Sequence, residues 1–175
     1  MFKYCYYYVV INVNKRRTRR RENKRAKIEI KKSIVIDSSP EVVFNAITNP
    51  EELTQWFPDQ AILEHKVGGK FRFSFFKEKS KELERGYSPE GTVKEFVPNK
   101  KVSYTWQLKD IPEFPETTVT WELQEIGANK TRVELVHSGF TGKEEGKLSF
   151  REHDQGWSYF LGRLEKYCQK KCDSI

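Results

Sequence analysis

Apolar and polar residues alternate where the regular part of the chain begins. Ile28, Ile30, Ile34 and Ile36 follow a two-residue spacing that Lys32 interrupts. Successive side chains of a β-strand point to opposite faces of a sheet. The alternation therefore predicts a strand with one buried face.

Two short helices are predicted directly after this strand. Ser39 is a favourable N-cap residue, and Pro40 suits the first position of a helix. Asn49 and Pro50 begin a second helix in the same way, and Pro58 ends it. Helices of this length are marginal when isolated in water, so we expect both to dock on the rest of the domain.

The remainder of the chain is predicted to form six more strands and one long helix. Alternating segments separated by turns occupy residues 61–65, 70–75, 91–97, 101–108, 117–123 and 131–137. From about residue 143 to residue 171 the period becomes helical, with an apolar stripe that includes Trp157, Leu161 and Leu164. Because the strands are grouped, the pattern predicts an antiparallel sheet of the α+β class, covered by the C-terminal helix.

The composition fits a single folded domain with a charged N-terminal tail. The chain has 175 residues, of which 37% are hydrophobic and 14% aromatic, and this excludes a disordered protein. Its net charge is +7, yet residues 1–26 hold nine basic residues and one acid. The other 149 residues hold 23 basic and 24 acidic side chains, so the domain predicted at 27–171 has no overall attraction for nucleic acid.

The tail combines an aromatic run at residues 2–11 with a basic run from Lys15 to Arg21. Export is not indicated, because a secretory signal places its basic residues before the apolar segment. Three interpretations stay open: a solvated, disordered arm, a patch for nucleic acid or an anionic membrane, or a wrongly assigned start of the chain. We expect a cytoplasmic protein whose cysteines are free thiols.

The sequence has no motif for nucleophilic catalysis, phosphate binding or a cofactor. Its histidines, His65, His137 and His153, fall in separate predicted elements, so no metal site is expected. His137 is in phase with the apolar residues of the last strand and should point inward. It is interpreted either as a core histidine bonded to a backbone group or as a polar anchor or proton donor at the mouth of a cavity.

Eight short motifs follow one another in the predicted domain. They are residues 40–51 (PEVVFNAITNPE), 56–57 (WF), 68–73 (GGKFRF), 90–93 (EGTV), 104–106 (YTW), 117–123 (TTVTWEL), 137–140 (HSGF) and 156–157 (GW). Their order and spacing resemble the SRPBCC superfamily, which includes START and birch-pollen-allergen-like proteins. Within it, the chain is most similar to the C-terminal type of domain of activators of heat-shock protein 90 ATPase.

This resemblance implies a helix-grip fold, in which a curved seven-stranded antiparallel sheet wraps around the C-terminal helix and encloses an apolar cavity. It also implies a range of functions, because many such proteins carry lipid-like or aromatic ligands, some relatives are cyclases or hydrolases, and the eukaryotic namesakes stimulate the chaperone ATPase in the stress response. Those co-chaperones carry a separate domain ahead of this one, and residues 1–26 are too few to form it.

Aromatic residues on the inward faces, together with His137, are the predicted lining of such a cavity, although the same rings also suit an ordinary core. They are Trp56, Phe57, Phe71, Phe73, Phe75, Tyr104, Trp106, Trp121, His137, Trp157 and Phe160. The first hypothesis is a binding protein for a small hydrophobic or aromatic molecule, without catalysis. The alternatives are a co-chaperone that stimulates the heat-shock protein 90 ATPase, and a cyclase- or hydrolase-like enzyme that uses the cavity.

Overall fold

A computed structural model describes residues 28–76, 86–109, 111, 113–142 and 150–172. This part of the chain is α+β, as predicted, with seven strands and three helices in the predicted order. The elements are β1 (Ile28–Ile36), α1 (Pro40–Thr48), α2 (Pro50–Trp56), β2 (Gln60–Leu63), β3 (Lys70–Ser74), β4 (Glu90–Val97), β5 (Lys101–Trp106), β6 (Thr117–Gly127), β7 (Lys130–Phe140) and α3 (Phe150–Cys172).

All seven strands belong to one antiparallel sheet with the order β1-β7-β6-β5-β4-β3-β2. The first two strands of the chain thus lie at opposite edges, and α1 and α2 connect those edges. Buried Trp157, Leu161 and Leu164 turn the apolar stripe of α3 toward the sheet. This is the helix-grip arrangement, and it confirms the predicted cover of the sheet by the C-terminal helix.

The caps of the two short helices agree with the sequence prediction. The Ser39 hydroxyl accepts a hydrogen bond from the backbone N–H of Val42 at 3.4 Å at the start of α1. Asn49 caps α2 with its side-chain oxygen. The indole of Trp56 then donates to the carbonyl of Ala46 at 2.9 Å, which joins α2 to α1. The caps and this bond direct the end of α2 into the interior.

Lys32, which interrupts the alternation in β1, binds the strand to α3. It occupies an inward position between Ile30 and Ile34, and 10% of its side chain is exposed. Its ammonium group lies 2.7 Å from a carboxylate oxygen of Asp154. A lysine buried to this extent needs such a partner, because an unpaired charge is costly away from water.

Several sequence predictions fall outside the described residues. These are the tail at residues 1–26 with its run from Lys15 to Arg21, and the start of the last helix near residue 143. Within the described residues α3 begins at Phe150. No helix of the described part is long and apolar enough to span a membrane.

Gly91 in β4 permits a close approach to β5. A Cβ atom at this position would lie 2.6 Å from the carbonyl oxygen of Thr105 and still closer to its hydroxyl oxygen. We expect Gly91→Ala to lower the free energy of unfolding by about 1–3 kcal/mol in urea titrations, since the two strands must separate locally. Gly162→Ala is the control, because its Cβ meets no described atom within 4 Å and alanine favours the helix. Equal effects of the two substitutions would contradict this reading of Gly91.

Candidate functional site

The interior between the sheet and α3 is a continuous cluster of aromatic rings. It contains all eleven side chains predicted to line a cavity, and each has at least one ring neighbour among the others, with centroids 4.2–6.4 Å apart. Ten are buried, and Phe160 is half-buried. The structure therefore brings the predicted residues together; that they line a ligand cavity stays a prediction.

Phe57, directly after α2, links the two sides of the cluster. Its ring lies 5.4 Å from Phe73 and 5.3 Å from Phe75 on the sheet side. On the helix side it lies 5.4 Å from Trp157 and 4.7 Å from Phe160. Three of these contacts are edge-to-face, which is a favourable geometry for aromatic pairs, and the contact with Trp157 is tilted.

A chain of hydrogen bonds crosses the cluster from α3 to β5. The indole N–H of Trp157 donates to Nδ1 of His137 at 3.0 Å. Nε2 of His137 lies 2.7 Å from the hydroxyl of Thr117, which donates to the backbone carbonyl of Trp106 at 3.0 Å. An indole is only a donor, so Nδ1 must be the unprotonated nitrogen and Nε2 carries the hydrogen. The ring is therefore neutral and in one defined tautomer.

The surroundings of His137 favour this neutral form. Burial holds the pKa of His137 well below its ordinary value of 6.5, and the charge of the nearby His153 lowers that pKa further. The expected inward orientation is confirmed, since the side chain is fully buried. The expected bond to a backbone group is wrong, because both ring nitrogens are bonded to side chains of other elements.

His153 is a neighbour that the sequence did not indicate. Its ring lies 5.1 Å from that of His137 and stacks at 5.3 Å on Phe114. Its position one turn before Trp157, on the apolar stripe of α3, was the available signal. Among the described residues, no group of three or more His, Cys, Asp or Glu could hold a metal.

The four tryptophans differ in how their buried N–H groups are satisfied. Those of Trp56 and Trp157 are described above, and that of Trp121 donates to the hydroxyl of Tyr104 at 3.0 Å. The N–H of Trp106 is buried without a hydrogen-bond partner among the described residues. Such unpaired donors are rare in protein interiors and call for an explanation.

A concave region separate from the aromatic cluster lies toward the C-terminal end of α3. It is an open groove of about 1020 Å³ between α1, the turn from β4 to β5 and the last turn of α3. Its lining includes Phe44, His65, Phe96, Asn99 and Tyr167. None of the eleven predicted residues lines it.

Comparison with solved structures places this fold among known proteins. An HSP90 activator from Plasmodium falciparum is 26% identical, with 78% of this chain and 93% of that chain covered and a TM-score of 0.62. The Aha1 dimer from Colwellia psychrerythraea is 24% identical over 79% of this chain and 93% of the other, with a TM-score of 0.59. DynU16, a protein of the dynemicin biosynthetic locus, is 21% identical over 81% of this chain and 47% of the other, with a TM-score of 0.64.

The sequence itself identifies the family. No curated protein matches the chain. Residues 37–169, which lie inside the domain predicted at 27–171, match the family described as Activator of Hsp90 ATPase homolog 1-like protein. The match covers most of the chain, and the seven-stranded sheet with its long C-terminal helix agrees with it. This chain is therefore a member of the Activator of Hsp90 ATPase homolog 1-like family.

Proposed function

We propose that this protein binds a small apolar or aromatic molecule between the sheet and α3, without catalysis. The observation that carries the proposal is the continuity of the aromatic cluster from the surface to the interior. It reaches from the half-buried Phe160 through Phe57 and Trp157 to Trp106, which is 2% exposed. Apolar walls with a few polar groups are typical of sites for such ligands.

We place the entrance of the proposed site beside Gly156. It lies one helical turn before Phe160 and so faces the same flank of α3. No described atom lies within 4 Å of the Cβ that another residue would carry there. A glycine inside a helix lowers its stability by about 1 kcal/mol relative to alanine, and a larger side chain here would lie on the same flank as Phe160.

The state of His137 supports binding over catalysis. The lone pair of Nδ1 accepts from the Trp157 indole and the hydrogen on Nε2 is directed at Thr117, so His137 presents neither a free base nor a free donor to a substrate. These bonds do not favour His137 as the proton donor of a cyclase- or hydrolase-like enzyme.

Blocking the entrance tests the binding proposal. Binding of fluorene, 9-fluorenone, palmitic acid and cholesterol would be measured by native mass spectrometry and by quenching of tryptophan fluorescence. We expect a one-to-one complex with a ring compound, and at least a tenfold weaker complex for Gly156→Leu. Gly162→Leu is the matched control, because Gly162 is in the same helix and faces another flank. No described atom outside the adjacent helical backbone lies within 4 Å of the position of its Cβ. Absence of any complex, or equal binding by the two variants, would refute the proposal.

Stimulation of a chaperone ATPase is the second candidate function. It is favoured by the 26% identity to the Plasmodium falciparum HSP90 activator, of which this chain covers 93%. Heat-shock protein 90 would be assayed for ATP turnover with increasing amounts of this protein. A rise in turnover that persists in Gly156→Leu would support a separate interaction surface, whereas no rise at saturating concentration would exclude this function.

A further inference from the structure

The unpaired N–H of Trp106 lies in the middle of the aromatic cluster. Its ring is surrounded by Phe71, His137, His153 and Trp157, with centroids 5.7–6.2 Å away. His137 cannot accept its hydrogen, because Nδ1 already accepts from Trp157 and Nε2 is the protonated nitrogen. A ring face is at best a weak acceptor for an N–H group. The described interior thus leaves a strong donor unsatisfied.

Tyr104 supplies a second donor on the same strand. It lies two positions before Trp106 in β5, so the two side chains project from the same face of the sheet. The Tyr104 oxygen accepts from the indole of Trp121, and no described residue accepts its hydroxyl hydrogen. Burial raises the pKa of Tyr104, so this hydrogen is retained at neutral pH.

The surroundings of the two donors also limit the charge of what can bind them. The rings next to Trp106 are those of Phe71, Phe73, Trp157 and two histidines. Phenyl and indole rings carry no charge, His137 is neutral, and His153 is the ring neighbour that can carry a charge. A carboxylate would lose its hydration there without gaining a permanent positive charge. A neutral oxygen acceptor avoids that penalty and still pairs with the donors.

Building on the proposed function, we propose that the bound molecule is a neutral, planar ring system with a carbonyl oxygen, which accepts the N–H of Trp106 with the Tyr104 hydroxyl as a second donor. The rings of the cluster would contact the faces and edges of the molecule. The carbonyl would fix its orientation, in the way that a few polar groups do in otherwise apolar sites.

Three probes of similar shape separate this inference from the binding proposal itself. Fluorene has no acceptor, 9-fluorenone replaces its CH₂ group with a carbonyl, and 9-fluorenone-4-carboxylate adds a negative charge. We expect 9-fluorenone to bind about tenfold more tightly than fluorene, since one buried hydrogen bond is worth about that factor. The carboxylate should bind more weakly than 9-fluorenone. In Trp106→Phe the preference for 9-fluorenone over fluorene should fall toward one.

The chemical shifts of the indole N–H groups in ¹⁵N-labelled protein test the proposal without a substitution in the site. The Trp106 hydrogen should move downfield with 9-fluorenone and not with fluorene, and the fluorene complex serves as the reference for ring-current shifts common to the two probes. Equal affinity for 9-fluorenone and fluorene, or an unshifted Trp106 resonance in the complex, would overturn the carbonyl inference and leave the binding proposal standing. Absence of binding by all three probes would overturn both.

Discussion

Trp157→Ala is expected to lower the free energy of unfolding by about 3–5 kcal/mol, which is the usual effect of truncating a buried aromatic residue. Trp157 is 3% exposed, and its ring lies 5.4 Å from Phe57, 5.7 Å from Trp106 and 5.6 Å from Trp121. Its removal opens a cavity where α3 contacts Phe57 and strands β5 and β6. Thermal unfolding should shift down by roughly 10–15 °C for a domain of this size.

Two further variants separate packing from hydrogen bonding at this position. Trp157→Phe keeps a ring but leaves Nδ1 of His137 without its donor, so an intermediate loss of about 1–3 kcal/mol is expected. Tyr159→Ala, on the solvent side of the same helix and 64% exposed, should stay within about 0.5 kcal/mol of the parent. A Trp157→Ala protein as stable as Tyr159→Ala would show that α3 does not depend on this contact.

Most of the fold could be predicted because it is encoded locally. The two-residue period of β1 and the stripe of α3 record which face each element buries, and Ser39 and Asn49 record where the short helices begin. Lys32 is an exception to the alternation of β1 that has a structural reason. The sequence shows it as an interruption of the strand, and its partner Asp154 can be identified only after α3 is placed over β1.

The sequence predicts which residues meet in the candidate site but not which hydrogen bonds join them. Alternation along β3, β5 and β6 placed the aromatic rings on one face, and all of them meet in the structure. The hydrogen bond from Trp157 to His137 depends on where α3 crosses the sheet. The hydrogen bond between His137 and Thr117 depends on the register of β6 with β7. Neither quantity is encoded in a local pattern, so the expectation of a backbone partner for His137 was wrong.

The free energy of unfolding should decrease as the pH falls from 7.5 to 5.5, before the carboxylates become protonated. His137 has a folded-state pKa well below 6.5, because burial and then the charge of His153 disfavour its protonated form. Below pH 6.5 the unfolded chain therefore binds a proton on this residue that the folded chain does not. His137 therefore contributes fully to the free energy of unfolding above pH 6.5. This contribution decreases as the pH falls, with a slope that approaches about 1.4 kcal/mol per pH unit.

Urea unfolding of the parent and of His137→Gln between pH 7.5 and 5.5 measures this effect. Glutamine can still accept from Trp157 with its oxygen and donate to Thr117 with its amide, yet it does not titrate. We expect the variant to lose less stability than the parent between these pH values, because the difference in proton uptake at residue 137 disappears. His153 is retained in both proteins, as is every carboxylate, so the difference in slope reports on His137 and its coupling to His153. Identical slopes would mean that the folded protein accepts a proton at His137 as readily as the unfolded chain, and the neutral hydrogen-bonded chain from α3 to β5 would have to be abandoned.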